Sequence, residues 1–114
     1  MLNEDVAQIN LINWLRHNMP DVEKLTYHVP LQRKCSPQQG RLLKRMGVKA
    51  GFSDLFISVA RNGKHGLFIE LKVGKNKPSK EQIKFMENVT NQGYQAVWST
   101  GWENARDSII EYFK

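Results

Sequence analysis

Two strand-like runs, DLFISVA (54–60) and LFIELKV (67–73), are joined by RNGKHG. The Asn62-Gly63 pair in that connection suits a tight turn with positive φ at both positions, a strong hairpin signal. The second run is unusual. Leu67, Ile69, Leu71 and Val73 alternate onto one face, while Glu70 and Lys72 share the other face with Phe68. A half-buried carboxylate must find a partner or shift its pKa, so something has to compensate Glu70.

Asp54 opens the first run, after Gly51 and Ser53. Residues directly opposite in an antiparallel pair point to the same face. A plain two-residue turn at Asn62-Gly63 would set Asp54 across from Leu71, on the wrong side of the sheet from Glu70 and Lys72. A shared site requires a loop of three or five residues, or a bulge, with Asp54 opposite a residue such as Lys72. Gly63 and Gly66 can supply the positive φ angles. Two carboxylates converging beside one ammonium suit Mg²⁺ or Mn²⁺, with waters and a substrate phosphate completing the shell. Such an ion polarises a phosphate and lowers the pKa of an attacking water. A nearby lysine can position or deprotonate that water, or stabilise the transition-state charge. The plain alternative is a Glu70–Lys72 ion pair on a solvated face.

Around this hairpin the periodicity predicts a helix over about residues 3–18, capped by Asn3, with Val6, Ile9, Ile12 or Asn13, and Leu15 inward and Leu2, Leu11 and Trp14 widening the face. Pro20 ends it. KLTYHV (24–29) reads as a strand. Ser36-Pro37 and Gly40 act as breakers, with one helical turn in GRLLKRMG. Ser79 and Gln82 form a capping box for a helix over about 80–92, with Ile83, Met86 and Val89 or Thr90 inward. YQAVWST (94–100) is a strand. A helix over about 102–113 follows, opened by a second box at Thr100 and Glu103 and burying Ala105, Ile109, Ile110 and Phe113. The order is α-β-β-β-α-β-α, a single domain over 1–114.

Charge adds a partner. Seventeen Lys and Arg against eleven Asp and Glu give +6. Residues 31–50 hold Arg33, Lys34, Arg41, Lys44, Arg45 and Lys49 and no acid, which favours a polyanion over a merely solvated loop. Cys35 is the sole cysteine, so no internal disulfide forms. With no signal peptide after Met1, the expected compartment is cytoplasm-like. No apolar run is long enough to span a bilayer. His17, His28 and His65 show no ligand spacing, and Trp14, Trp98 and Trp102 read as core or interface residues.

The arrangement D-x₁₅-E-x-K within this element order resembles the PD-(D/E)xK nuclease superfamily. More narrowly, KRMGVKAGFSDLFI, GLFIELKVGKNKPSKEQ and NQGYQAVWSTGWENA resemble the virus-type replication-repair nuclease (VRR-NUC) family, over about residues 3–113. The specific part is the series G-x-x-D, I-E-L-K, S-x-x-Q and G-Y in order. Ser53 stands where the family usually has proline, a residue that shapes the strand entry and is not a ligand.

The resemblance implies a restriction-endonuclease-like α/β fold: a mixed central sheet flanked by helices. It implies metal binding by Asp54, Glu70 and the Leu71 carbonyl, and catalysis by Lys72. Gln82 either serves the site or only caps Ser79, or does both. Glu4 binds metal directly or through water, or is a surface residue at a helix start. Gln8 lies one turn on and could support it. The implied activity is Mg²⁺- or Mn²⁺-dependent hydrolysis of DNA, in branched or structured substrates such as Holliday junctions or flaps. Arg33, Lys34, Arg41, Lys44, Arg45, Lys49, Lys75, Lys77 and Lys80 would grip phosphates, and a homodimer would match a two-fold junction. The rival readings are a nucleic-acid-binding module without catalysis and a subunit of a larger complex, such as a toxin or restriction assembly.

Overall fold

The computed structural model describes residues 3–29 and 35–114. Its elements are α1 (Glu4–Asn18), α2 (Pro20–Glu23), β1 (Thr26–His28), α3 (Pro37–Arg45), β2 (Leu55–Ile57), β3 (Leu67–Lys72), α4 (Lys80–Asn91), β4 (Gln95–Thr100) and α5 (Trp102–Tyr112). The four strands form one mixed sheet in the order β1-β2-β3-β4. The first two pairings are antiparallel, and β3 and β4 are parallel, joined through α4. The expected order holds, with two further helices.

One of these is α2. Pro20 does not simply stop α1; it starts a new turn at N1, where its missing N–H costs nothing. The other is α3. Ser36 and Pro37 are its N-cap and first residue rather than breakers, and Ser36 and Gln39 form a reciprocal capping box. Gly40 lies inside this helix.

The sheet separates two apolar layers. On one side Leu55, Ile57, Leu67, Ile69 and Leu71 pack with Leu11 and Leu15 of α1 and Ala105, Ile109 and Tyr112 of α5. On the other, Phe68 meets Phe52, Phe56, Phe85 of α4 and Tyr94, with ring centroids 4.4–5.9 Å apart. Leu11 and Leu15 of α1 and Ala105 and Ile109 of α5 are buried as expected, but part of each predicted helix face differs. In α1 the buried stripe is Ala7, Leu11 and Leu15, whereas Ile9 is 59% exposed. The helix touches both the sheet and α5, so its burial follows that cleft rather than the broadest apolar arc. In α4 Gln82 takes the inward position and Ile83 is 46% exposed, because Phe85 fixes the phase by seating on Phe68. In α5 Tyr112 is buried and Ile110 exposed. That helix begins at Gly101 with no side-chain cap, so the Thr100–Glu103 box does not form.

The hairpin contains the expected bulge. Arg61 and Lys64 exchange both backbone hydrogen bonds across Asn62 (φ 51°) and Gly63 (φ 79°), a tight two-residue turn. The ladder proper pairs Ile57 with Leu67, Phe56 with Phe68 and Leu55 with Ile69. Between turn and ladder, Ser58, Val59 and Ala60 face only His65 and Gly66. That extra residue changes the parity. Extending the register by one step sets Asp54 across from Glu70, two residues short of the Lys72 pairing named as an example and on the required face. The last helix clasps the bulge: the Tyr112 hydroxyl donates to the Val59 carbonyl at 2.6 Å, and the Asn62 amide donates to the Tyr112 carbonyl at 3.1 Å.

The loop entering β2 is pinned as closely. Gly51 has φ 95°, and a Cβ there would lie 2.3 Å from the Glu81 carbonyl oxygen at the start of α4. Gly51→Ala should therefore destabilise the fold by at least about 2 kcal/mol, measured by urea unfolding. A variant as stable as the parent would refute this packing.

Candidate active site

The carboxyl site begins where β2 starts and β3 ends. Asp54 Oδ2 accepts the Leu71 N–H at 2.7 Å. The Asp54 carbonyl meets His28 Nδ1 at 2.7 Å, so β1 helps to fix its backbone. Gly66 and Lys72 accept from Gln95 and Gly101 on the β4 side. By alternation Leu71 turns its own backbone groups the other way, past the end of β2, toward Asp54. This is the orientation that the Leu71 carbonyl needs to serve the site.

Glu70 is 0% exposed, and neither carboxyl oxygen has a hydrogen-bond donor. Burial is the main cause that pushes its pKa from 4.5 up to about 9, followed by contact with the Asp54 carboxyl and its charge; Lys72 pulls the other way and Glu4 adds to the rise. The two carboxyls can bond each other only when one carries a proton. Glu4 is itself shifted upward, chiefly by burial and with Asp54 and Asp5 contributing, while Lys72 and Asn76 oppose the shift. Glu4 thus acts on the same cluster from the first turn of α1.

The plain ion-pair alternative does not describe this geometry. Lys72 is buried with Glu70 rather than solvated. The ion pairs among the described residues are Arg16–Glu23, Arg106–Asp107 and Lys114–Glu111, all elsewhere. Among the described residues no three His, Cys, Asp or Glu side chains group closely enough to enclose a metal ion by themselves. Asp54, Glu70 and the Leu71 carbonyl make a partial set of hard oxygen donors, the kind Mg²⁺ takes when waters and phosphate oxygens complete its shell. The two orphaned, buried Glu70 oxygens fit a cation that the side chains do not supply.

Gln82 is buried, and its Oε1 accepts from the Ser79 N–H at 2.8 Å while Ser79 Oγ accepts from the Gln82 N–H. Its capping role is real. Beyond this cap, its amide N–H groups have donor capacity left over.

A family model for the VRR-NUC domain matches residues 2–101. The chain belongs to the VRR-NUC family. A solved structure titled "VRR_NUC domain protein" superposes on this VRR-NUC chain with a TM-score of 0.86 at 33% identity, covering 98% of this chain and 88% of that one. No curated protein matches it. VRR-NUC domains are of nuclease type, and the mixed α/β fold expected from the sequence is the one present.

The remaining predicted residues divide by place. Arg41, Lys44 and Arg45 lie exposed on α3, and Lys49, Lys75, Lys77 and Lys80 are exposed on the loops and helix start flanking the carboxyl site. Gln8 is half-buried one turn beyond Glu4. Arg33 and Lys34 lie outside the described residues. No helix among the described residues is long and apolar enough to cross a membrane.

Sequence reasoning missed the contacts of His28 and Asn76 with this cluster, and the burial of Ser53. His28 was traceable in principle, because pairing β1 with β2 brings it to Leu55, beside Asp54. Asn76 sits in a loop without a pattern. Ser53 is buried with an unpartnered hydroxyl, in the position where the family usually has an apolar proline ring.

The Glu70 shift has a direct stability consequence. Its folded pKa lies above the unfolded value, so the native state holds the proton between pH 4.5 and about 9. Stability from that group is full at the acid end and is lost as pH rises through the window. Glu70→Gln should make the metal-free protein more stable than the parent toward the alkaline end, by about 1–3 kcal/mol, with the two converging near pH 4.5. Urea unfolding in chelator at several pH values measures this; parallel profiles would show that Glu70 does not hold the proton.

Proposed function

We propose that this VRR-NUC protein is a Mg²⁺- or Mn²⁺-dependent deoxyribonuclease that hydrolyses phosphodiester bonds in branched or otherwise structured DNA. The observation that carries the reading is the buried Glu70 carboxyl, facing Asp54 with no donor, next to a buried lysine. Asp54, Glu70 and the Leu71 carbonyl would hold the ion, with Glu4 acting through water. When bound, it would supply charge neutralisation at the phosphate and a lowered pKa for coordinated water.

The chain's own groups divide the rest of the work. The Leu71 N–H orients the Asp54 carboxyl, and His28 steadies its backbone. The Lys72 ammonium, on the same strand face as Glu70, would face the reacting phosphate, where it can orient the attacking water and offset charge that builds in the transition state. Gln82 Nε2 offers a further donor from α4. Burial of the cluster strengthens each of these interactions relative to water. Exposed cations on α3 and on the loops beside the site bind flanking phosphates and set the register of the strand.

A second copy would suit a two-fold substrate. The edge strand β4 exposes Trp98, which with Ile83 and Met86 borders a shallow groove of about 620 Å³.

Purified protein should cleave four-way or flap DNA with Mn²⁺ and stop with chelator. Lys72→Ala should reduce cleavage at least about 10²-fold while leaving the fold and DNA binding intact. Retained turnover would remove lysine from the mechanism, and tight DNA binding without cleavage under any divalent ion would favour the non-catalytic module.

Charge reversal of Arg41, Lys44 and Arg45 should weaken binding to every DNA sequence. It should also flatten the dependence of log affinity on log salt by roughly 0.9 for each lost contact on duplex DNA. An unchanged slope would mean that α3 faces away from the substrate.

A further inference from the structure

Helix α3 has no buried side chain, although it is well capped. It presents Leu42, Leu43 and Met46 to solvent, Met46 at 71% exposure. These apolar groups are set among Arg41, Lys44, Arg45 and Lys49, and residues 35–50 contain no acid. Beneath the helix, between it and the first turn of α4, lies a groove of about 360 Å³. Leu43, Val48 and Phe52 give it apolar walls, Lys44 and Lys49 stand on its rim, and Gln82 and Glu81 supply polar groups at the α4 side. Gln82, which the family resemblance assigns to the active site, is also part of the groove lining.

A second copy of this chain would bring like charges together on this face, since the net charge is +6. A polyanion matches the rim, but phosphate alone leaves the apolar bed unexplained. One partner satisfies both: DNA whose bases are unstacked, with flat apolar faces to bury and phosphates on either side. We propose that the α3 groove receives an unpaired nucleobase of the substrate. The base lies on Leu43, Val48 and Phe52, and Lys44 and Lys49 hold the neighbouring phosphates. This rests on the reading of the protein as a DNA nuclease and gives that reading a basis for choosing branched or bulged DNA over plain duplex. Phe52 is held from behind by Phe68 and Phe85, at 5.9 and 5.1 Å between centroids. The bed is therefore pre-formed rather than assembled on binding.

The test is anisotropy binding in chelator, so that cleavage does not interfere, with a perfect duplex and the same duplex carrying a short bulge that contains 2-aminopurine. The parent protein should bind the bulged DNA roughly tenfold more tightly, the effect expected of one buried base, and should change the 2-aminopurine fluorescence. Leu43→Ser, at a solvent-reached position, should remove the preference and the fluorescence change while leaving duplex affinity near the parent's. Lys44→Ala should weaken both DNAs alike. Equal affinity of the parent for the two DNAs, or a preference that survives Leu43→Ser, would overturn the groove assignment while leaving the nuclease reading in place. Failure to bind either DNA would overturn the nuclease reading itself. Binding to phosphatidylserine–phosphatidylcholine vesicles that is lost in Leu43→Ser, without any preference for bulged DNA, would assign the surface to membrane and refute the proposal.

Discussion

One surplus residue between Ile57 and Arg61 decides which side of the sheet Asp54 serves. Strand side chains have a period of two, so a single insertion exchanges inside for outside along the whole strand. The tight turn at Asn62-Gly63 and the apolar ladder of Leu55, Ile57, Leu67 and Ile69 make incompatible demands on register. The bulge satisfies both. It leaves the apolar residues against α1 and α5 and delivers Asp54 to Glu70 on the opposite face. Every other property of the site presupposes that step.

The site is then costly to keep. A carboxyl at Glu70 without a donor, beside a second carboxyl, stores unfavourable desolvation and repulsion that the apo protein relieves by binding a proton. The surrounding structure tolerates this because β3 is fully buried and paired on its β4 side, so the strand cannot move to let water reach Glu70. On the proposed reading, rigidity of the apolar layer would favour a cation at Glu70 over a rearranged strand. On the proposed reading, the exposed cations of α3 and the site loops would meet the DNA from outside, where screening makes them matter for capture more than for chemistry.

The core of this arrangement was legible in the chain. Alternation in LFIELKV set the faces of β3, and parity required either an odd-length loop or a bulge if Asp54 was to share a face with Glu70. Capping residues located α4 and, had Ser36-Pro37 been read as cap and first helical residue rather than as breakers, would have located α3. Less legible were the rotations of α1, α4 and α5, because Ile9, Ile83 and Ile110 are apolar yet lie beside the stripe that the neighbouring elements cover. Those choices depend on shapes from other parts of the chain: Phe68 sets the phase of α4, and the cleft between sheet and α5 sets that of α1. His28 and Asn76 reach the site through pairing and loop geometry that local pattern does not encode.

The clasp between α5 and the hairpin ties the far end of the chain to the chemistry. Tyr112 and Asn62 join the last helix to the bulge by two hydrogen bonds. All of α5 lies beyond residue 101, where the family match stops. A segment outside the motif therefore acts as the retaining pin of its register. Sequence drift there would be felt as a slipped strand and a displaced aspartate, with every motif residue still in place.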